Sequence, residues 1–272
     1  MTDDFAAQLT TARVPASHTV IAGEFVDGTG DRFDSVYPGT GEVIARLRCT
    51  GDEQVDAAVT AALAAQRGWA AADGVERAEV LERAARSIVD DLERLTALVT
   101  LDNGKLLKDA RADVLGCASM IRSAAGWATC TKGTTLPDEG GLLRLTWREP
   151  VGVVGAIMPF NAPIMFCGMK VAAAIAVGNS VVVKAPEKSP LAPVAFVEHL
   201  LAAGMPPGVV NVVQGCGPVG NRLVTAPGVR MVSFTGSNQV GALVGSAATA
   251  LGKRVLLELG GKSANIVYDD AP

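Results

Sequence analysis

The sequence predicts an α/β fold: a doubly wound parallel sheet, preceded by N-terminal helices and carrying a protruding β-ribbon. Three observations lead there. After residue 150, short strands that are apolar throughout, such as "VGVVGAIM" and "SVVVKA", alternate with helical stretches. Strands with no polar face are covered on both sides, which places helices above and below a parallel sheet. Residues 52–128 instead carry apolar residues at helical spacing. Between these regions, "TKGTTLPDEGGLLRLTWR" (131–148) joins a Gly/Pro-rich turn to alternating Leu143, Leu145 and Trp147, the pattern of an extended ribbon suited to subunit contacts.

Residues 20–50 alternate apolar and polar residues around Gly28-Thr29-Gly30 and Pro38-Gly39-Thr40-Gly41, and read as short strands joined by turns. A helix follows from Asp52, its expected N-cap. The next keeps Val80, Leu81, Ala84, Ile88, Leu92 and Leu95 on one face and is expected to run unbroken to Asn103-Gly104, a helix-ending pair. A third covers residues 106–128. Beyond the ribbon, strands are expected at 151–158, 180–185, 209–213, 229–234, 254–259 and 264–268, with helices at 164–177, 190–203, 217–225 and 237–250.

With 272 residues, 49% hydrophobic and 19% charged, the chain can bury a sizeable core and is not disordered. Residues 1–149 hold 16 bases and 23 acids (−7), residues 150–272 hold 8 and 5 (+3), and together they make the net −4. The first part should present solvated helices and the second a buried sheet. An acidic balance without a basic cluster argues against nucleic acid as a partner. No apolar run reaches the roughly 18–20 residues of a membrane span. The start, "MTDDFAAQLT", lacks the order of a secretory signal, so a cytoplasmic location is expected. Five cysteines (Cys49, Cys117, Cys130, Cys167, Cys216) without a CxxC pair, and two histidines (His18, His199), suit neither a disulfide framework nor a metal site. Reduced thiols and no metal are expected.

In open α/β sheets, ligands bind beyond the carboxyl ends of the strands. That edge collects Asn161, Lys184, Gly215, Thr235-Gly236-Ser237 and Glu258, each at or just after a strand. Gly215-Cys216-Gly217-Pro218-Val219-Gly220 spells GxGxxG, yet no acid follows before Glu258, so the run reads either as a phosphate cradle or as a close strand-to-helix turn. Thr235-Gly236-Ser237 is either an anion site at a helix start or an ordinary serine cap. Lys184 and Glu187 either grip ribose hydroxyls, Lys donating and Glu accepting, or form a solvated pair. Asn161, between Pro159 and Pro163, is either a fixed amide able to donate to an oxyanion or a turn asparagine. Glu258 is the first carboxylate after Glu198 and stands before Gly260-Gly261. Burial among apolar neighbours is expected to raise its carboxyl towards the range of a general base. Cys167 is the one cysteine near this edge.

Together, "YPGTGEVIA" (37–45), the Gly104-Lys105 turn, "EPVGVVGAIMPFNAP", "GNSVVVKAPEKSP", "GMPPGVVNVVQG", "FTGS" and "LELGGKSANIVYDDA" resemble the aldehyde dehydrogenase superfamily over essentially the whole chain. The resemblance implies a Rossmann-like NAD-binding domain formed by residues 1–130 and 150–262, an oligomerisation ribbon at 131–149, and at 263–272 a stub of the family's catalytic domain. It implies that Asn161 stabilises the oxyanion and that Glu258 is the general base for the thiol or the deacylating water. For the cofactor it implies Lys184 and Glu187 on the adenosine ribose, Gly236 and Ser237 on the pyrophosphate, and Gly215 and Gly220 along the adenine. Pro159, Phe234, Thr235 and Leu259 complete that site. Glu187 would repel a 2′-phosphate and so favours NAD over NADP.

Two departures from the family pattern are local: Phe160 stands where tryptophan is usual, and Asn238-Gln239 replace a common Thr-Glu pair. A third concerns the chemistry. The family's nucleophilic cysteine lies well beyond the "LELGGK" glutamate, and none of the five cysteines follows Glu258. The expected function is NAD-dependent oxidation of an aldehyde to a carboxylic acid in the complete enzyme, with this chain a truncated or split N-terminal portion, inactive alone. The alternative is a non-catalytic NAD-binding module that assembles with a full-length relative, as a homo- or hetero-oligomer through 131–149.

Overall fold

The computed structural model describes residue 15 and residues 17–271; the N-terminal stretch read for a secretory signal lies outside them. Strands β1 (Thr19–Ile21) and β2 (Glu24–Val26) form a hairpin whose turn residues, Ala22 and Gly23, both adopt positive φ, the turn that matches strand twist. The buried Asn211 side chain fixes this turn by accepting the Ala22 N–H at 2.9 Å. Strands β3 (Arg32–Val36) and β4 (Val43–Arg48) make a separate antiparallel pair. Helix α1 (Asp52–Ala71) is capped by Gly51 instead of Asp52. The Gln54 side chain takes the Gly51 N–H at 3.1 Å, and Asp52 moves into the first turn, where a carboxylate suits the helix dipole.

The long helix expected to reach Asn103 is two helices, α2 (Gly74–Asp90) and α3 (Leu92–Asn103). The break has an electrostatic cause. Asp91 leaves helical geometry (φ −102°, ψ 22°), and its carboxylate accepts Arg94 Nε at 2.6 Å and lies 3.1 Å from His199 Nε2. Gly104 ends α3 in the left-handed conformation, as its sequence suggests. Helix α4 (Leu107–Ala128) follows. Then β5 (Thr134–Glu139) and β6 (Leu142–Thr146) pair as a two-stranded ribbon that leaves Leu142, Leu143, Leu145 and Trp147 exposed.

The remainder is the doubly wound unit. Strand β7 (Val153–Ile157) leads to helix α5, which runs as Pro163–Phe166, a π turn at Cys167–Val171, and Ala172–Ala176. There follow β8 (Ser180–Lys184), α6 (Leu191–Ala202), β9 (Val210–Val213), α7 (Gly217–Thr225), β10 (Val229–Gly236), α8 (Asn238–Ala250) and β11 (Arg254–Leu259). The sheet order is β11-β10-β7-β8-β9-β1-β2; its members from β7 onward run parallel, and β1 joins β9 antiparallel through Val20 and Val212. Side chains alternate between two cores. Val154, Ala156, Val181, Val183 and Val212 pack under α2–α6, while Val153, Ile157, Val182 and Val213 pack under α1, α7 and α8.

Two expectations fail at the β11 edge. Residues 264–268 form no strand: they run exposed, because a strand needs a hydrogen-bonding neighbour and none lies outside β11 among the described residues. Glu258 is exposed too, since β11 has a partner on one side only and solvent reaches most of it. The anticipated burial of this carboxylate does not occur. No helix among the described residues is long and apolar enough to cross a membrane.

The helical layer is tied to the sheet by one buried acid. Asp102, fully enclosed near the end of α3, accepts the Ser35 hydroxyl at 2.9 Å and the Leu191 and Ala192 N–H groups at 2.8 and 3.4 Å. It therefore joins β3, α3 and the start of α6. Burial pushes its carboxyl up to about 7, although all three donors pull it down. The folded state thus holds this proton where the unfolded chain has released it, and stability falls as pH rises between the unfolded value, 3.8, and about 7. Thermal or urea unfolding should show this slope, at most about 1.4 kcal/mol per pH unit. Asp102→Asn should flatten it, and an identical slope in the variant would assign the proton elsewhere.

Candidate functional site

The chain leaves β7 to build β8 and β9 on one side, then returns to build β10 and β11 on the other. The crossovers therefore change side between β7 and β10, and a crevice opens beyond the strand ends there. It is a cleft of about 640 Å³, within the range of small-molecule sites. Pro159 and Phe160 border it after β7, Lys184 at the end of β8 and Glu187 just beyond, Gly217 and Gly220 at the start of α7, Phe234 to Gly236 at the end of β10 and Ser237 just beyond.

Most cofactor residues anticipated from sequence thus share one cavity: Pro159, Lys184, Glu187, Gly220, Phe234, Thr235, Gly236 and Ser237. Gly215 and Leu259 stand outside it. Gly215 (φ +128°) packs against Cys49, where a Cβ would stand 3.1 Å from the sulfur. Leu259 fills the notch left by Gly241 on α8, where a Cβ would come within 2.2 Å of it.

Lys184 is buried, and its Nζ donates to Glu187 Oε2 at 2.8 Å. Burial pushes the Glu187 carboxyl up, but the Lys184 hydrogen bond and charge, with help from Lys188, hold it below its ordinary value. The pair joins a buried ammonium to a half-exposed carboxylate on the cleft wall. Gly217 and Gly220 present bare backbone: a Cβ at Gly217 would meet nothing, and one at Gly220 only Ile157 at 4.0 Å, so either would project into free space. The Thr235 hydroxyl oxygen is buried without a hydrogen-bond partner among the described residues. Ser237 caps α8 by accepting the Val240 N–H at 3.3 Å, so the helix start faces the cleft in capped form. A ribose with an adjoining phosphate suits this set: paired donor and acceptor, and a helix N-terminus.

The two catalytic candidates lie beside the cleft rather than on its wall. Asn161 is exposed in the turn after β7. That turn is braced at the Phe160 carbonyl, which accepts the Asn103 amide and, at 2.9 Å, the Ser189 hydroxyl. Glu258 stands opposite Thr235 in the β10–β11 register. Near it is a residue that the sequence reading missed. Lys170, on the π turn of α5, donates to Ser233 Oγ at 3.0 Å. Burial lowers its amine to about 8, and the Glu258 charge opposes that fall. The signal was a single charge in the apolar run "APIMFCGMKVAAAIAV".

The thiols divide by environment. Burial pushes Cys117 up to about 12 and holds Cys167 well above its ordinary value too, so Cys167 is packing material despite its place near the Asn161 turn. Cys130 is exposed after α4, and Cys216 is exposed at the cleft.

The aldehyde dehydrogenase family model matches residues 25–272. Among curated proteins, the mitochondrial succinate-semialdehyde dehydrogenase of Arabidopsis thaliana is 40% identical over 255 residues, 93% of this chain and 48% of that protein. Among solved structures, indole-3-acetaldehyde dehydrogenase complexed with NAD+ superposes with a TM-score of 0.93 at 33% identity, over 99% of this chain and 56% of that one. An Escherichia coli NADP-dependent enzyme superposes with a TM-score of 0.88 at 32% identity, over 93% and 52%. The chain spans about half the length of the curated relatives it matches.

Because the Glu258 charge supports the Lys170 ammonium, Glu258→Gln should move the Lys170 titration midpoint below about 8. The pH dependence of amine labelling at Lys170, read by peptide mass, measures it. A midpoint that stays put in the variant means that the two groups do not interact.

Proposed function

Because this chain belongs to the aldehyde dehydrogenase family, we propose that its cleft binds NAD and that it serves NAD-dependent oxidation of an aldehyde to a carboxylic acid. The observation that carries this reading is the buried Lys184 held 2.8 Å from Glu187 on the wall of the cleft. Lys184 donates to, and Glu187 accepts from, the hydroxyls of the adenosine ribose. Gly236 and Ser237 receive the pyrophosphate at the start of α8, and Gly220 admits the adenine side. Pro159 and Phe234 close the remaining walls. When bound, NAD supplies the hydride acceptor.

The chain's own residues then set up the acyl chemistry. Asn161 donates its amide hydrogen to the oxyanion that forms when a thiol adds to the aldehyde. Glu258 accepts a proton from the thiol or from the deacylating water, with the Lys170 ammonium, which its charge supports, close by. The reacting thiol comes from outside these residues, since none of the five cysteines follows Glu258, where the family resemblance puts the nucleophile. Residues 1–130 and 150–262 act as the nucleotide-binding unit. The ribbon 131–149, with Leu143 and Trp147 at 75% and 69% exposure, contacts another subunit.

NAD specificity follows from Glu187, whose charge opposes a 2′-phosphate. A thermal-shift titration should show stabilisation of about 2.7 kcal/mol at 100 times the dissociation constant of NAD. NADP should bind more weakly, Lys184→Met should weaken NAD at least about tenfold, and Glu187→Gln should narrow the preference. An absence of any shift at millimolar NAD would falsify the assignment of the cleft.

A further inference from the structure

The loop before α7 carries a second chemistry that nucleotide binding does not use. Cys49 follows β4 and Cys216 caps α7, 167 positions apart in the chain. The two loops are pinned together one residue after Cys49 and two residues before Cys216. The Thr50 N–H donates to the Gln214 carbonyl at 2.9 Å, and the Gln214 N–H donates to Thr50 Oγ1 at 2.8 Å. Gly215, between them, has no side chain to hold the cysteines apart. A Cβ built there would stand 3.1 Å from the Cys49 sulfur and 3.2 Å from its Cβ. The Cys49 sulfur therefore sits against Gly215, the residue next to Cys216 in the chain, and the Cys216 thiol and backbone are among the groups that act on its charge. Cys216 is exposed on the cleft wall beside Gly217 and Gly220, whereas Cys49 is half-buried behind it.

We propose that Cys49 and Cys216 form a reversible disulfide that narrows the adenosine end of the cleft. The narrowing of a nucleotide site rests on the NAD reading above; the disulfide itself does not. The oxidant is a hydroperoxide. The exposed Cys216 sulfur attacks one peroxide oxygen: an S–O bond forms, the O–O bond breaks, and water leaves with the thiol proton, giving a sulfenic acid. The Cys49 sulfur attacks the sulfenic sulfur, an S–S bond forms, the S–O bond breaks, and hydroxide leaves as water with the Cys49 proton. Two thiols lose two electrons and one hydrogen peroxide becomes two waters. A dithiol reverses the step by exchange.

The fold decides which partner moves. A disulfide brings its sulfurs to about 2.05 Å, closer than two thiols in contact. Cys49 is held on both sides of its backbone, its N–H donating to Asp31 O and its carbonyl accepting Gly30 N–H, each at 2.8 Å. Cys216 is held by less: its carbonyl accepts the Gly220 N–H at a longer 3.3 Å, and its side chain makes no cap hydrogen bond. The displacement falls on Cys216 and the first turn of α7, which is the wall formed by Gly217 and Gly220.

The test treats the reduced chain with hydrogen peroxide, blocks remaining thiols, and maps peptides without reduction. The expected product is a peptide pair joined through positions 49 and 216, two hydrogens lighter than its parts and released by dithiothreitol. Hydrogen exchange across residues 217–221 should change on oxidation and recover on reduction. NAD affinity should fall at least about tenfold and recover in parallel. Cys49→Ser should bind NAD as the reduced chain does and accumulate a dimedone-trappable sulfenic acid at Cys216. Peroxide that carries Cys216 to sulfinic acid without a 49–216 link overturns the proposal, as does a link that leaves exchange at 217–221 unchanged. If the reduced chain binds no NAD, the function proposed for the cleft fails, and the peptide map and exchange still decide the disulfide.

Discussion

Parallel neighbours cannot be joined by a tight turn, so each successive strand in this sheet requires a crossover over one face. Everything about the site follows from where those crossovers change sides. With β7 in the middle, β8 and β9 extend the sheet one way and β10 and β11 the other. The first residues after β7, β8 and β10 are thereby gathered around one crevice. Elements far from the cleft hold this arrangement still. The end of α3 reaches the start of α6 through Asp102 and the turn after β7 through its neighbour Asn103. Two consecutive residues thus brace both a helix start behind the Lys184–Glu187 loop and the carbonyl beside Asn161.

The sheet was legible because its strands are apolar on both faces, and no other common setting for such short runs alternates them with helices. The cleft residues were legible for a related reason. Lys184, Thr235 and Ser237 each follow a strand, and strand ends meet at one edge whatever the strand order. What could not be read depended on order or on distant partners. Glu258 follows a strand like the others, but only the order reveals that β11 is at the edge and its carboxylate in solvent. The helix break at Asp91 depends on His199, which nothing in the local periodicity announces. Lys170 is a single charge in an apolar run, a sign that went unread, and its tie to Ser233 and Glu258 needed the π turn and the β10–β11 pairing together. Asp102 carried a weaker sign, an acid in the last turn of a helix, where the dipole disfavours it.

The GxGxxG run shows how one motif can serve two purposes. Its first glycine is required by a neighbouring cysteine, since a Cβ at Gly215 would crowd Cys49. Its last glycine faces open space in the cleft. From sequence the run was either a cradle or a close turn, and it divides between the two. The acid that a dinucleotide fingerprint expects after the glycines is missing; in the function proposed above that role falls to Glu187, upstream of the glycines and after a different strand.

The hairpin of β1 and β2 has a consequence for how the chain is made. Its place in the sheet is reserved by residues synthesised much later: Val20 pairs with Val212, and the His18 carbonyl accepts the Gln214 amide 196 residues away. While the ribosome is still producing the central strands, the start of the protein has no home. The emerging strands meanwhile present an unpaired β9 edge until the hairpin returns to seal it. Long-range closures of this kind are slow, and a partly built sheet with an open edge attracts other chains. Yield in the cell therefore depends on shielding of the nascent chain during that interval, by chaperones or by slow, dilute expression.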